Sequence, residues 1–126
     1  MSNFSGKTKM MICLIPKIFF NRMDEGLDLF VDCLGFQVMY QDDSLAVVAK
    51  DGAKAYVVES AEYAAKDRPE IAIETDNIEE IFKEISAKRP DVLHPNLPHV
   101  TKRPWGALEL SLLDKTGVCV VFRQWP

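Results

Sequence analysis

Cysteine is scarce and scattered: Cys13, Cys33 and Cys119 are the only three in 126 residues, and they lie far apart inside apolar segments. An odd number at such spacing builds neither a disulfide framework nor a CxxC metal knuckle, so the three read as buried, reduced thiols. Long apolar runs are missing too. The longest, "MMICLIP" (10–16), is far short of the roughly 20 residues that span a bilayer, and although Lys7 and Lys9 precede it no small-residue cleavage site follows. No membrane association and a cytoplasmic location are expected. Positive charge is not in excess, since 15 Lys and Arg stand against 19 Asp and Glu for a net charge of -4. The cations form no stripe that could track a phosphate backbone, which argues against nucleic acid as a partner. GxGxxG, GxxxxGK[ST], HExxH and GxSxG are all absent, and with them the minimum residues of nucleotide cradles, zincin sites and hydrolase elbows.

What is present is an order of elements that occurs twice. Residues 1–9 are polar and small and read as a flexible N terminus, followed by a single domain over 10–126, with module one at about 10–60 and module two at about 69–125. A β-rich segment from Met10 to Phe20 leads to Asn21, a helix cap with Asp24 and Glu25 in the first turn. Met23, Leu27, Phe30, Val31 and Leu34 recur at helical spacing, and Gly35 stops the helix. Then come "FQVMYQ", "SLAVVAK" and "AKAYVVES", the last two joined by an Asp51-Gly52 hairpin turn. The same order returns with the strand "PEIAIET" and a helix capped by Asp76 or Asn77, whose inward face carries Ile78, Ile81, Phe82 and Ile85. Pro90 ends that helix, and the strands "DVLHP", "GALELSLLD" and "GVCVVFRQW" follow, the last two closed by Thr116-Gly117. A small βαβββ unit cannot bury both its helix and its sheet alone, so two copies must share one core. Phe19, Phe20, Phe30 and Phe82 are expected in it, with Tyr56 and Tyr63 flanking the end of the fourth strand.

"LDLFVDCLGF", "PEIAIETDN" and "RPWGALELSLLDKTGVCVVF" together resemble the glyoxalase, bleomycin-resistance protein and extradiol dioxygenase superfamily, the vicinal oxygen chelate proteins, over nearly the whole chain. The resemblance implies an α+β fold in which two βαβββ modules form a curved, cradle-like mixed sheet with helices outside, and it implies a homodimer. It also implies four positions for the ligands of a divalent metal, which fall at Ile15, at Val58 or Glu59, at Glu70 and at Val121. Ile15 and Val121 are hydrocarbon and donate no lone pair. The expectation is therefore a protein that binds a small organic ligand in the cradle with no cofactor and no metal residues. The alternatives are a divergent lactoylglutathione lyase-type lyase or isomerase, with Glu70, Glu59 and a mobile His94 or His99 around an irregular metal, and a non-catalytic scaffold with a filled cavity.

Strand alternation then names the candidate site. Ile15 and Lys17 share a face of the first strand, Glu70 shares one with Ala72 and Glu74, and Cys119, Val121 and Arg123 share one in the last strand. The ligand-binding candidates are Ile15, Lys17, Glu59, Glu70, Trp105, Cys119, Val121 and Arg123, and Glu70 is the candidate catalytic base. A plain ion pair between Glu70 and Arg123 is the competing reading for those two. Trp105 is expected to pack at the corner that Gly106 makes tight, with ligand stacking as the alternative.

Overall fold

A computed structural model describes residues 10–66 and 68–126; the expected flexible segment 1–9 lies outside the described residues. The first module runs β1 (Lys17–Phe20), α1 (Met23–Leu27), β2 (Gln37–Gln41), β3 (Leu45–Lys50) and β4 (Ala53–Glu59). A short α2 (Ala61–Ala64) leads to the second, with β5 (Glu70–Glu74), α3 (Ile78–Lys88), β6 (Thr101–Lys102), β7 (Leu108–Leu113) and β8 (Cys119–Gln124). The sheets have orders β1-β4-β3-β2 and β5-β8-β7-β6. In each, the first and last strands of the module lie parallel and the other pairs are antiparallel. The internal repeat read from the sequence is thus a repeat of topology.

Alternation decides which face each sheet buries. Ile18, Phe20, Ala46, Val48, Ala55 and Val57 turn towards the first helix, and Leu110, Leu112, Val120 and Phe122 turn towards α3. Both sets, with Leu29, Phe30, Ile78 and Ile85, join one apolar core. Phe20 and Phe30 lie there as expected, whereas Phe19 sits on the opposite face, stacked on Tyr63 with centroids 5.0 Å apart. Tyr56 lies in the middle of β4 and Tyr63 on α2. Gly26 is where the first helix comes closest to its sheet. A Cβ there would collide with Val57 Cγ1 and stand 2.7 Å from Phe20.

Four local expectations are corrected. The strand expected from Met10 begins only at Lys17, because Pro16 has no N–H with which to continue the ladder; its carbonyl still accepts from Tyr56 N at 2.9 Å. Arg22, not Asn21, precedes the helix, and two carboxylates take the free N–H groups of its start: Glu25 accepts from Arg22 N and Glu59 from Met23 N. The helix continues as a π-helical stretch, Asp28–Cys33, before Gly35 at φ +78° ends it. The strand expected at "DVLHP" is replaced by a 3-10 turn, Pro90–Val92, and a single bridge from Leu93 to Leu112. β6 forms later, at Thr101–Lys102, because prolines at 90, 95 and 98 deny that stretch the donors of a ladder.

Two arginines bind the modules together. Arg68, in the connection between them, donates to Phe19 O, Ala64 O, Thr116 O and Thr116 Oγ1. Arg89, at the end of α3, pairs with Asp28 and Asp32 of the first module and with Asp91. No helix among the described residues is long and apolar enough to cross a membrane.

Candidate functional site

The face of the second sheet turned away from α3 is built of three cross-strand rows. Strand register places Glu70, Cys119 and Leu113 in the first, Ala72, Val121 and Ser111 in the second, and Glu74, Arg123, Glu109 and Thr101 in the third. Its middle is apolar or small and its third row is charged. Glu70, Ala72 and Glu74 are exposed along β5, while Val121, Ser111 and Glu109 are buried.

Glu109 organises the charged end. Buried to 4% exposure, it accepts from Arg123 Nε at 2.6 Å and from Trp105 Nε1 at 3.0 Å, both on Oε2, while Arg103 Nε stands 3.8 Å from Oε1. The turn before β7 delivers two of these groups. Gly106 N donates to Arg103 O, Arg103 N donates to Ala107 O, and Gly106 at φ +96° supplies a backbone angle that other residues rarely adopt. This fold of "RPWGA" lays the Arg103 guanidinium over the Trp105 ring, 5.0 Å from its centroid. Burial by itself would raise the Glu109 carboxyl, but the hydrogen bonds from Arg123 and Trp105 and the charges of Arg123 and Arg103 prevail and hold it below its usual range. It is a fixed anion between two fixed cations.

Of the residues named from sequence, Glu70, Cys119, Val121 and Arg123 share this face, and Trp105 joins it through Glu109. Lys17 is on the corresponding face of the first sheet, in register with Tyr56. Ile15 stands two positions before β1, half-buried. Glu59 ends β4 with its carboxylate on Met23 N, occupied in starting the helix. Arg123 pairs with Glu109 and not with Glu70. Trp105 is half-exposed with its indole N–H engaged, so it is neither plain core nor free surface. The sequence reading missed Glu109 and Arg103, although strand alternation in "GALELSLLD" puts Glu109 on the face of Ser111, and Arg103 begins the quoted corner.

The donor set does not fit a divalent metal. Among the described residues no three His, Cys, Asp or Glu side chains come together. His94 Nδ1 accepts from Asn96 N, and His99 packs edge-on against Phe82 of α3, 5.8 Å between centroids. Both histidines are tied into local structure, and Ile15 and Val121, two of the four positions that the sequence resemblance implies, carry hydrocarbon.

A concavity lies elsewhere, in a crevice of about 200 Å³ between the modules. Its walls include Phe36, Ile85 and Phe122, its rim Lys50, Glu84 and Arg89, and none of the eight ligand-binding candidates lines it.

No family model matches the chain, and neither does any curated protein. Solved structures do. A bleomycin-binding protein complexed with bleomycin superposes with a TM-score of 0.75 at 13% identity, over 92% of this chain and 100% of the other. A bleomycin-binding protein from bleomycin-producing Streptomyces verticillus, complexed with copper(II)-bleomycin, gives 0.72 at 19% identity, over 91% and 97%. Lactoylglutathione lyase from Agrobacterium tumefaciens gives 0.71 at 11% identity, over 92% and 95%. The resemblance read from the three quoted segments holds at the level of the fold. The chain has the two-module fold that the bleomycin-binding proteins share with lactoylglutathione lyase.

Proposed function

We propose that this protein binds a small organic molecule on the open face of its second sheet, without a metal, and that it does so as a cytoplasmic homodimer. The observation that carries the reading is the make-up of that face: a middle row of small and apolar side chains, Ala72, Val121 and Ser111, ended by Glu109, Arg123 and Trp105 in fixed hydrogen bonds. An apolar floor with a few placed polar groups is the usual composition of a small-molecule site. Two of the structural neighbours were solved with bleomycin bound, which supports small-molecule binding as a use of this fold. A scaffold with a filled cavity is disfavoured by the exposure of Glu70, Ala72 and Glu74 along β5. The lyase reading is disfavoured by the scattered donors, with Glu59 committed to the helix start.

The dimer is supported by surface that one copy leaves uncovered. Met10, Met11, Ile12 and Leu14 are 83–97% exposed in the arm before Pro16, and Val38, Met39 and Tyr40 are exposed on the edge strand β2. Apolar surface of this extent marks an interface, and a second copy is the occupant proposed. Three free cysteines suit a reducing compartment. The test is a thermal-shift screen against small organic compounds, together with metal analysis of protein purified without chelator. Stabilisation by a compound, lost in Val121→Asp, is expected. Retention of about one divalent ion per chain would overturn the metal-free reading.

A further inference from the structure

Arg103 and Arg123 share one carboxylate. Glu109 takes a short bond from Arg123 Nε, but Arg103 Nε stands 3.8 Å away, beyond hydrogen-bond reach, and it is buried without a partner. Among the described residues neither guanidinium pairs with any other carboxylate. Two positive charges and one negative leave one cation unmatched, next to a buried donor that has nothing to donate to. Water or protein would ordinarily satisfy such a donor.

The nearby acidic groups do not supply the missing partner. Glu74 is in register with Arg123, but its carboxylate accepts from Trp125 Nε1 at 2.9 Å. Glu70 sits two rows away, beside Cys119. Trp105 adds the second half of a recognition element. One face of its ring carries the Arg103 guanidinium, its N–H is fixed by Glu109, and 53% of the residue is exposed, so a flat group can stack on what is left open.

From this we infer that the ligand is an aromatic organic anion, whose carboxylate or phosphate is held by Arg103 and Arg123 while its ring lies on Trp105. Guanidinium forks match planar oxyanions with two parallel bonds, and an ammonium-bearing ligand would meet like charge here. The inference rests on the reading that this sheet face binds a small molecule. It goes further by fixing the ligand's charge and the residues that read it.

The test uses three probes of equal ring size: 1-naphthoate, 1-naphthyl phosphate and 1-naphthylmethylamine. Their binding is followed on the indole N–H resonance of Trp105, assigned by its persistence in Trp125→Phe. The anions are expected to shift that resonance saturably, and the amine to bind about tenfold more weakly or not at all. The relative strength of carboxylate and phosphate separates the two anion sources. Arg103→Gln, which leaves the Arg123–Glu109 pair intact, is expected to weaken the anions by about tenfold, the effect of losing one charged hydrogen bond. Arg103→Lys, which keeps the charge and loses the fork, should fall between. Glu74→Gln should tighten binding by a few-fold by removing a repelling charge. Equal or better binding of the amine, or anion binding indifferent to Arg103→Gln, would overturn the inference while leaving small-molecule binding in place. Silence of all three probes at Trp105 would overturn the inference, and an empty thermal-shift screen beside it would overturn small-molecule binding as well.

Discussion

Glu109 and Arg123 face one another across β7 and β8, with Arg123 Nε 2.6 Å from Glu109 Oε2. The pair is the fixed point of the open sheet face. Trp105 bonds to the same oxygen, and Arg103 is placed by the turn that carries Trp105. Because the Glu109 carboxyl is held below its ordinary value of 4.5 in the folded chain, its contribution to stability is present above that value and is lost as pH falls through the folded one. Glu109→Gln is expected to be less stable at neutral pH by about 2 kcal/mol, since Arg123 keeps its burial and loses its counter-ion. That difference should hold from about pH 7 down to about 5.5 and narrow below that, as the pH passes 4.5 and then the lower folded value. Thermal unfolding of both proteins across the range measures it, and a constant gap would show that the charge of Glu109 contributes nothing.

Gly26 makes a test of packing. In an exposed helix Gly→Ala gains up to about 1 kcal/mol, yet here the added methyl would run into Val57 and Phe20, both fully buried. Overpacking of this kind outweighs the propensity gain, and Gly26→Ala is expected to lose about 2 kcal/mol in chemical denaturation. Stabilisation would mean that the helix can lift from the sheet at little cost.

These two residues also mark what the sequence could and could not convey. The order of elements, the Asp51-Gly52 and Thr116-Gly117 turns and the stop at Gly35 were legible because each rests on local backbone chemistry. Glu109 was hidden because nothing local distinguishes a buried strand carboxylate from an exposed one; its partners come from β8 and from the preceding turn. The partner of Glu59 was hidden for a similar reason. The strand position of Glu59 suits a cradle residue, but the N–H that claims it belongs to Met23, on another element. The sixth strand failed on composition that was visible: prolines at 90, 95 and 98 predict a loop more strongly than "DVLHP" predicts a strand.

Arg68 holds the modules in register through four backbone and hydroxyl acceptors spread over β1, α2 and the turn between β7 and β8. Arg68→Ala is expected to cost about 2 to 3 kcal/mol, and Arg68→Lys to recover little of it, because an ammonium cannot reach acceptors placed for a planar fork. Equilibrium denaturation checks both. Full rescue by Lys would reduce the role of Arg68 to its charge.

Thiol reactivity reads the dimer and the interior together. Burial raises the Cys33 thiol to about 11, outweighing the opposing charge of Arg89, and burial also raises Cys119, with the charge of Glu70 adding to it. At pH 8 only about one Cys33 in a thousand is then a thiolate, so both should react slowly with a disulfide reagent. Cys13 lies in the exposed apolar arm. If a second copy covers that arm, Cys13 is protected in the dimer. Leu14→Asp, which places a charge in the covered surface, should then yield a monomer in which one thiol per chain reacts fast. Light scattering gives the mass and the reagent gives the count. A fast thiol in a wild-type protein that is already monomeric would remove the second copy from the account and leave the arm uncovered.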